Sequence, residues 1–196
     1  MKETMKFLIG FMTAILITGT AGAQHGNAPE GHVSLGIKGG VNYYNIHNDN
    51  DINYDQRTGY HFGLLGHIHI GNQFAVQPEL LYSAQGARNE DIKYNLDYIN
   101  VPLLLQYMFD NGFRLQAGPQ LGFLVSSENL NDLNPIELGI SYGVSYVVPS
   151  TGFGIDLRYN IGLTNINESG DVKSTNRGLQ LGVFYIFGHN SKLVLK

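Results

Sequence analysis

The feature that most limits the fold of this chain is a strict alternation of apolar and polar positions that recurs eight times. From Val33 to Tyr43 the odd positions are apolar or glycine, with Ser34, Lys38 and Asn42 among the residues between them. The same period governs Tyr60 to Ile70, Phe74 to Tyr82, Ile99 to Phe109 and Phe113 to Val125. It returns over Ile136 to Val148, Phe153 to Leu163 and Leu179 to Phe187. A period of two sends alternate side chains to opposite faces of a strand. Most of these runs extend over roughly 11 to 14 residues, against about 5–6 for an average soluble strand and about 9–11 for a tilted membrane strand. Eight such strands predict an all-β fold, an eight-stranded antiparallel up-and-down transmembrane β-barrel, apolar outside and polar within.

The connections support that order. Gly71-Asn72, Asp110-Asn111-Gly112 and Pro149-Ser150-Thr151-Gly152 are short turn-forming links. They alternate with longer polar links at 46–58, 86–94, 127–135 and 165–176. Tight turns on one side and loops on the other are the signature of an up-and-down barrel. Phe74, Phe109, Phe113, Phe153 and Phe187 fall beside the short turns, and Tyr43, Tyr60, Tyr82 and Tyr159 fall towards the loops. Two aromatic rings at opposite ends suit the two membrane interfaces.

Composition narrows the class further. Glycine contributes 25 of 196 residues and charged residues only 14%, where about 7% glycine and about 25% charge are usual. Most strand glycines fall on the inward register, where a narrow barrel needs small residues and sharp bends. A mean hydropathy of -0.10 argues against a bundle of membrane helices. Zero cysteine excludes a disulfide scaffold and a thiol catalyst. A net charge of -4 offers no basic surface for nucleic acid. Lys2, Lys6, the uncharged stretch Phe7 to Ile17 and Ala21-Gly22-Ala23 predict a signal peptide over 1–23. The expected organisation is then an N-terminal periplasmic segment at 24–32, the barrel at 33–187 and a tail at 188–196. Pro78, Pro102 and Pro119 each remove a ladder donor inside a predicted strand, and bulges or breaks in pairing are expected there.

Several segments carry a more specific likeness: Gly36-Ile37-Lys38-Gly39-Gly40-Val41-Asn42, Gln77-Pro78-Glu79-Leu80-Leu81-Tyr82-Ser83 and Tyr98-Ile99-Asn100-Val101-Pro102-Leu103-Leu104-Leu105-Gln106-Tyr107. Ala117-Gly118-Pro119-Gln120-Leu121-Gly122 and Asp156-Leu157-Arg158-Tyr159-Asn160-Ile161-Gly162-Leu163 add to it. Over 33 to 187 the chain resembles the PorT-like outer-membrane β-barrel family of the Bacteroidota. The resemblance implies an eight-stranded barrel, and some members of that family are linked to protein secretion and gliding. Gln180, Gly182, Tyr185 and Phe187 look like the terminal signal read by the barrel-insertion machinery, although nine residues follow Phe187.

Candidate chemistry concentrates on the inward register. Lys38, Arg114 and Arg158 face Glu79, Glu137 and Asp156 in a tube of low dielectric, and pairing is expected because an unpaired buried charge costs several kcal/mol. These six residues are read as structural ion pairs filling a barrel without a pore, in preference to a selectivity or proton path. His67 and His69 share a strand face with His61, and Glu79 on the adjacent strand would have to complete any metal site. His61 with Ser83 is the best set available to a lipid-modifying enzyme. Asp49, Asp51 and Asp55 with Asn48, Asn50 and Asn53 resemble a calcium loop that lacks its glycine and closing glutamate. A solvated surface loop is the preferred reading of that segment.

The expected protein is therefore a non-enzymatic outer-membrane barrel that needs no cofactor or metal and acts through its loops and rim. Its expected partners are outer-membrane lipid, the insertion machinery and other envelope proteins. A narrow channel or secretion accessory is the alternative, and a lipid-modifying enzyme a further one.

Overall fold

A computed structural model describes residues 33–48, 55–89, 92–128, 133–166 and 174–188. The expected signal peptide, the segment at 24–32, residues 189–196 of the tail and the Asn/Asp-rich segment at 49–54 lie outside the described residues. Eight antiparallel strands follow one another: β1 Val33–Asn48, β2 Asp55–His69, β3 Phe74–Asn89, β4 Ile92–Met108, β5 Phe113–Glu128, β6 Ile136–Val147, β7 Phe153–Gly162 and β8 Ser174–Ile186. Each pairs with its sequence neighbours, and β1 pairs with β8 from Gly36↔Ile186 to Asn48↔Ser174, which closes the barrel. Closure leaves no sheet edge, which the hydrocarbon phase demands because it offers backbone groups no partner.

The alternation seen in the sequence becomes an inside-out protein. Val183 is 61% exposed and Phe153 60%, whereas Lys38 is 5% and Arg158 2% exposed. Such a surface is stable only where the outer solvent is apolar. The aromatic residues pack as belts. At the turn end the rings of Phe74, Tyr107, Phe109 and Phe113 succeed one another at 5.2, 5.0 and 5.7 Å, and Phe153, Tyr185 and Phe187 continue the series. Towards the loops, Tyr60, Phe62 and Tyr82 form a second group.

The turns follow their residues. Asn111 Oδ1 accepts a hydrogen bond from Phe113 N, and Gly112 sits at φ 91°, a conformation that a β-carbon disfavours. One expectation needs correction. Residues 86–89 and 92–94, expected in a loop, are strand instead, because β3 and β4 remain paired as far as Asn89↔Ile92. Beyond the hydrocarbon the apolar alternation is no longer required, but backbone pairing continues, so the strands outrun their hydrophobic signal. At the prolines the expected breaks in pairing are present without bulges: the ladders skip Gly66 opposite Pro78, Glu79 opposite Pro102 and Leu103 opposite Pro119, and the register is the same on both sides of each gap. The register shifts fall elsewhere, between Gln56 and His61 and between Asp97 and Tyr98, both towards the loop end.

Candidate functional site: the filled lumen

The inward side chains form three layers along the barrel axis. Nearest the loops is an apolar cluster of Ile46, Leu96, Tyr98 and Ile166, with Leu124 and Leu133 packed against it. Leu133 and Ile166 reach it from the connecting segments rather than from strands. Those segments are tied together: Asn134 N donates to Ile166 O and Ile166 N to Ser174 O. At the turn end Leu65, Val147, Phe184 and Ile186 form a second apolar cluster. The inward register is therefore not uniformly polar, as the alternation implied. Leu96→Ala, at a side chain with no exposure, is expected to cost about 2–4 kcal/mol. Faster amide exchange confined to the loop end would report it, and unchanged exchange at Tyr98 would refute it.

Between the clusters lies a charged centre. Arg158 on β7 donates to Glu79 on β3 in bidentate fashion, Nη1 to Oε2 at 2.7 Å and Nη2 to Oε1 at 2.5 Å. In a closed order of eight strands, β3 and β7 are opposite one another, so this ion pair crosses the full width of the lumen. Lys38 on β1 meets Asp156 Oδ2 at 2.5 Å and approaches Glu79 Oε2 at 3.9 Å. Arg158 Nε lies 2.8 Å from Asp156 Oδ2. Two cations and two anions, all buried, thus neutralise one another. Bidentate geometry and mutual pairing are what make such burial tolerable in a low dielectric.

Amides extend this network towards the turns and form separate bonds towards the loops. Gln77 donates to Glu79 Oε1 at 2.5 Å, and Gln106 to Gln77 and Gln116 at 2.9 and 3.0 Å. Towards the loops, Asn42 donates to Ser83 Oγ, and Asn160 to the hydroxyl of Tyr44. Nothing marked these amides in the sequence beyond their inward register.

Arg114 and Glu137 do not join the charged centre, against the expectation that all six charges pair. Arg114 opens β5 beside a tight turn and Glu137 opens β6 at the opposite end, so the barrel's length separates them. Arg114 Nη1 is 3.5 Å from Gln106 Oε1, and Glu137 Oε2 accepts from Asn176 at 2.9 Å. The three histidines also part. His67 and His69 stack edge to face at 4.6 Å, while His61 Nδ1 contacts Asn42 Oδ1 at 2.7 Å. Glu79 is committed to Arg158, and among the described residues no three His, Asp or Glu side chains are grouped to hold a metal. His61 and Ser83 are direct cross-strand partners. Both are buried, with His61 Nδ1 and Ser83 Oγ turned to Asn42, so neither faces the lipid surface. At the C-terminal motif, Gln180 and Gly182 face inward, and Tyr185 and Phe187 sit in the outer belt.

Comparisons with known proteins agree with this architecture. The barrel superposes on the crystal structure of Neisserial surface protein A with a TM-score of 0.56 at 15% identity, covering 78% of this chain and 97% of that one. It is also similar to Ail, the attachment invasion locus protein of Yersinia pestis, with a TM-score of 0.53 at 17% identity, covering 81% and 100% respectively. At such identities the likeness is one of fold. No curated protein sequence matches the chain. The family model described as outer membrane protein beta-barrel domain matches residues 23–168, which span β1 to β7. The alternating strands, the apolar outer wall and this match together make the chain a member of the outer membrane protein beta-barrel domain family.

Proposed function

We propose that this protein is a non-enzymatic outer-membrane barrel whose interior is closed to solutes and which acts as a structural or interaction element through its loop-side rim. The observation that carries this reading is the Arg158–Glu79 ion pair across the lumen, capped at each end by an apolar cluster. An eight-stranded barrel encloses little more than its own side chains, and here they bond to one another rather than line a path. The burial of His61 and Ser83 speaks against surface chemistry on lipid. Within the family, the segments around Gln77-Pro78-Glu79 and Pro102-Leu103-Leu104-Leu105 support placement with the PorT-like barrels, exported by a cleaved signal peptide. Its partners on this reading are outer-membrane lipid, the insertion machinery and other envelope proteins.

Planar-bilayer recording tests closure. The purified protein is expected to give no steady single-channel openings in salt solution. Discrete, reproducible openings that persist after repurification would overturn it in favour of a narrow channel.

A further inference from the structure

Two hydrogen-bond acceptors face the same point beside Gly182 with no protein donor between them. The tautomer of His61 follows from its neighbour. Asn42 Nδ2 donates to Tyr60 O at 3.0 Å, Ser83 Oγ at 2.9 Å and Ala84 O at 3.1 Å. Asn42 Oδ1 is then the acceptor, and His61 Nδ1, 2.7 Å away, carries the proton that it receives. Nε2 of the neutral ring is left as an acceptor, buried and without a protein partner. Asp156 Oδ2 is occupied by Lys38 and Arg158, whereas its buried Oδ1 has no protein partner. A carbon placed on Gly182 would lie 2.5 Å from Asp156 Oδ1, 3.0 Å from His61 Nε2 and 3.1 Å from Lys38 Cε. The absence of a side chain at 182 keeps that point open.

The chemistry around the point selects its occupant. Two opposed acceptors require a double donor. Lys38 and Arg158 already balance Glu79 and Asp156, so a cation would add an uncompensated charge to the lumen. A divalent metal would find only two ligands. We propose that Gly182 shapes a site for a single water molecule, which donates one hydrogen to His61 Nε2 and the other to Asp156 Oδ1. The Lys38 ammonium, whose stem lines the same space, has a hydrogen to offer the water oxygen. That would bring the water to the roughly three hydrogen bonds typical of a buried one. The water joins the charged centre to the Asn42–Ser83–Gln85 array. It connects the Gln116–Gln106–Gln77 chain on the turn side of the centre with Gln85 on its loop side.

The test is imidazole nitrogen NMR on the full chain in lipid nanodiscs. At neutral pH the His61 ring is expected to be protonated at Nδ1 alone, with magnetisation passing from water to its ring protons. In Gly182→Ala the methyl group takes the water's place, and that transfer is expected to disappear. A doubly protonated ring, a proton on Nε2, or no transfer in the wild-type protein would overturn the proposal. A shift of the Nε2 resonance on adding zinc would overturn it in favour of a metal. If Gly182→Ala fails to insert, the wild-type spectra still decide.

Discussion

Glu79→Leu is expected to destabilise the folded barrel by about 3–5 kcal/mol, because it leaves Arg158 and Lys38 sharing the single charge of Asp156 in a buried centre. The lost carboxylate accepts from both Arg158 Nη atoms and from Gln77, so three buried donors lose their acceptor at once. The measurement is the urea midpoint of the heat-modifiable band on gels, which should fall well below that of the wild type. An unchanged midpoint would sink the claim that the ion pair across the lumen holds β3 to β7. Replacing all four charged residues together, with Lys38 and Arg158 as Met and Glu79 and Asp156 as Leu, is expected to recover much of the loss. Well-packed apolar groups avoid the desolvation that the charges must offset. If the quadruple variant were as unstable as Glu79→Leu, packing around the centre rather than charge balance would govern it.

Gly63→Val is expected to cost near or above the upper end of the roughly 1–3 kcal/mol of an overpacked site. A β-carbon on Gly63 would meet the carbonyl oxygen of Leu80 and lie 2.9 Å from the Cα of Leu81, both in the backbone of the paired strand β3. A backbone cannot rotate aside as a side chain can, so β2 and β3 must part locally. Gly39→Val is the control. Its β-carbon faces outward and comes no closer than 3.6 Å to a neighbour, so near-neutral behaviour is expected. The two variants differ in sequence only by position, and equal midpoints for them would refute the argument.

These residues show how much of the protein was legible beforehand. The eight strands, their order and the face each side chain takes were readable, because a lipid-facing wall imposes a period of two over its whole height. Membership of Lys38, Glu79, Asp156 and Arg158 in the lumen followed from that register alone. Which charges meet did not. Arg114 and Glu137 have the same inward register as the four that pair, yet they open strands at opposite ends. Only the stagger of the closed sheet brings Arg158 opposite Glu79, 79 positions apart in sequence. The ends of β3 and β4 were hidden for another reason. Once outside the hydrocarbon, backbone pairing continues without a hydrophobic pattern to announce it.

Gly182 marks the same division. From the sequence it was one glycine in a terminal motif, and its register said that it faced inward. That Asp156 and His61 converge on it depends on four strands meeting at one level, β8 between β7 and β1 with β2 beyond. By itself, then, the sequence determined an eight-stranded membrane barrel with an apolar wall and a polar, glycine-rich inside. The medium outside acts on every second residue, so its imprint is local. The tertiary structure alone decided the contents of the lumen: an ion pair across its width, apolar clusters at both ends, and acceptors that converge beside a glycine. Each of these depends on the shear of the closed sheet, a property of all eight strands together that no single segment records.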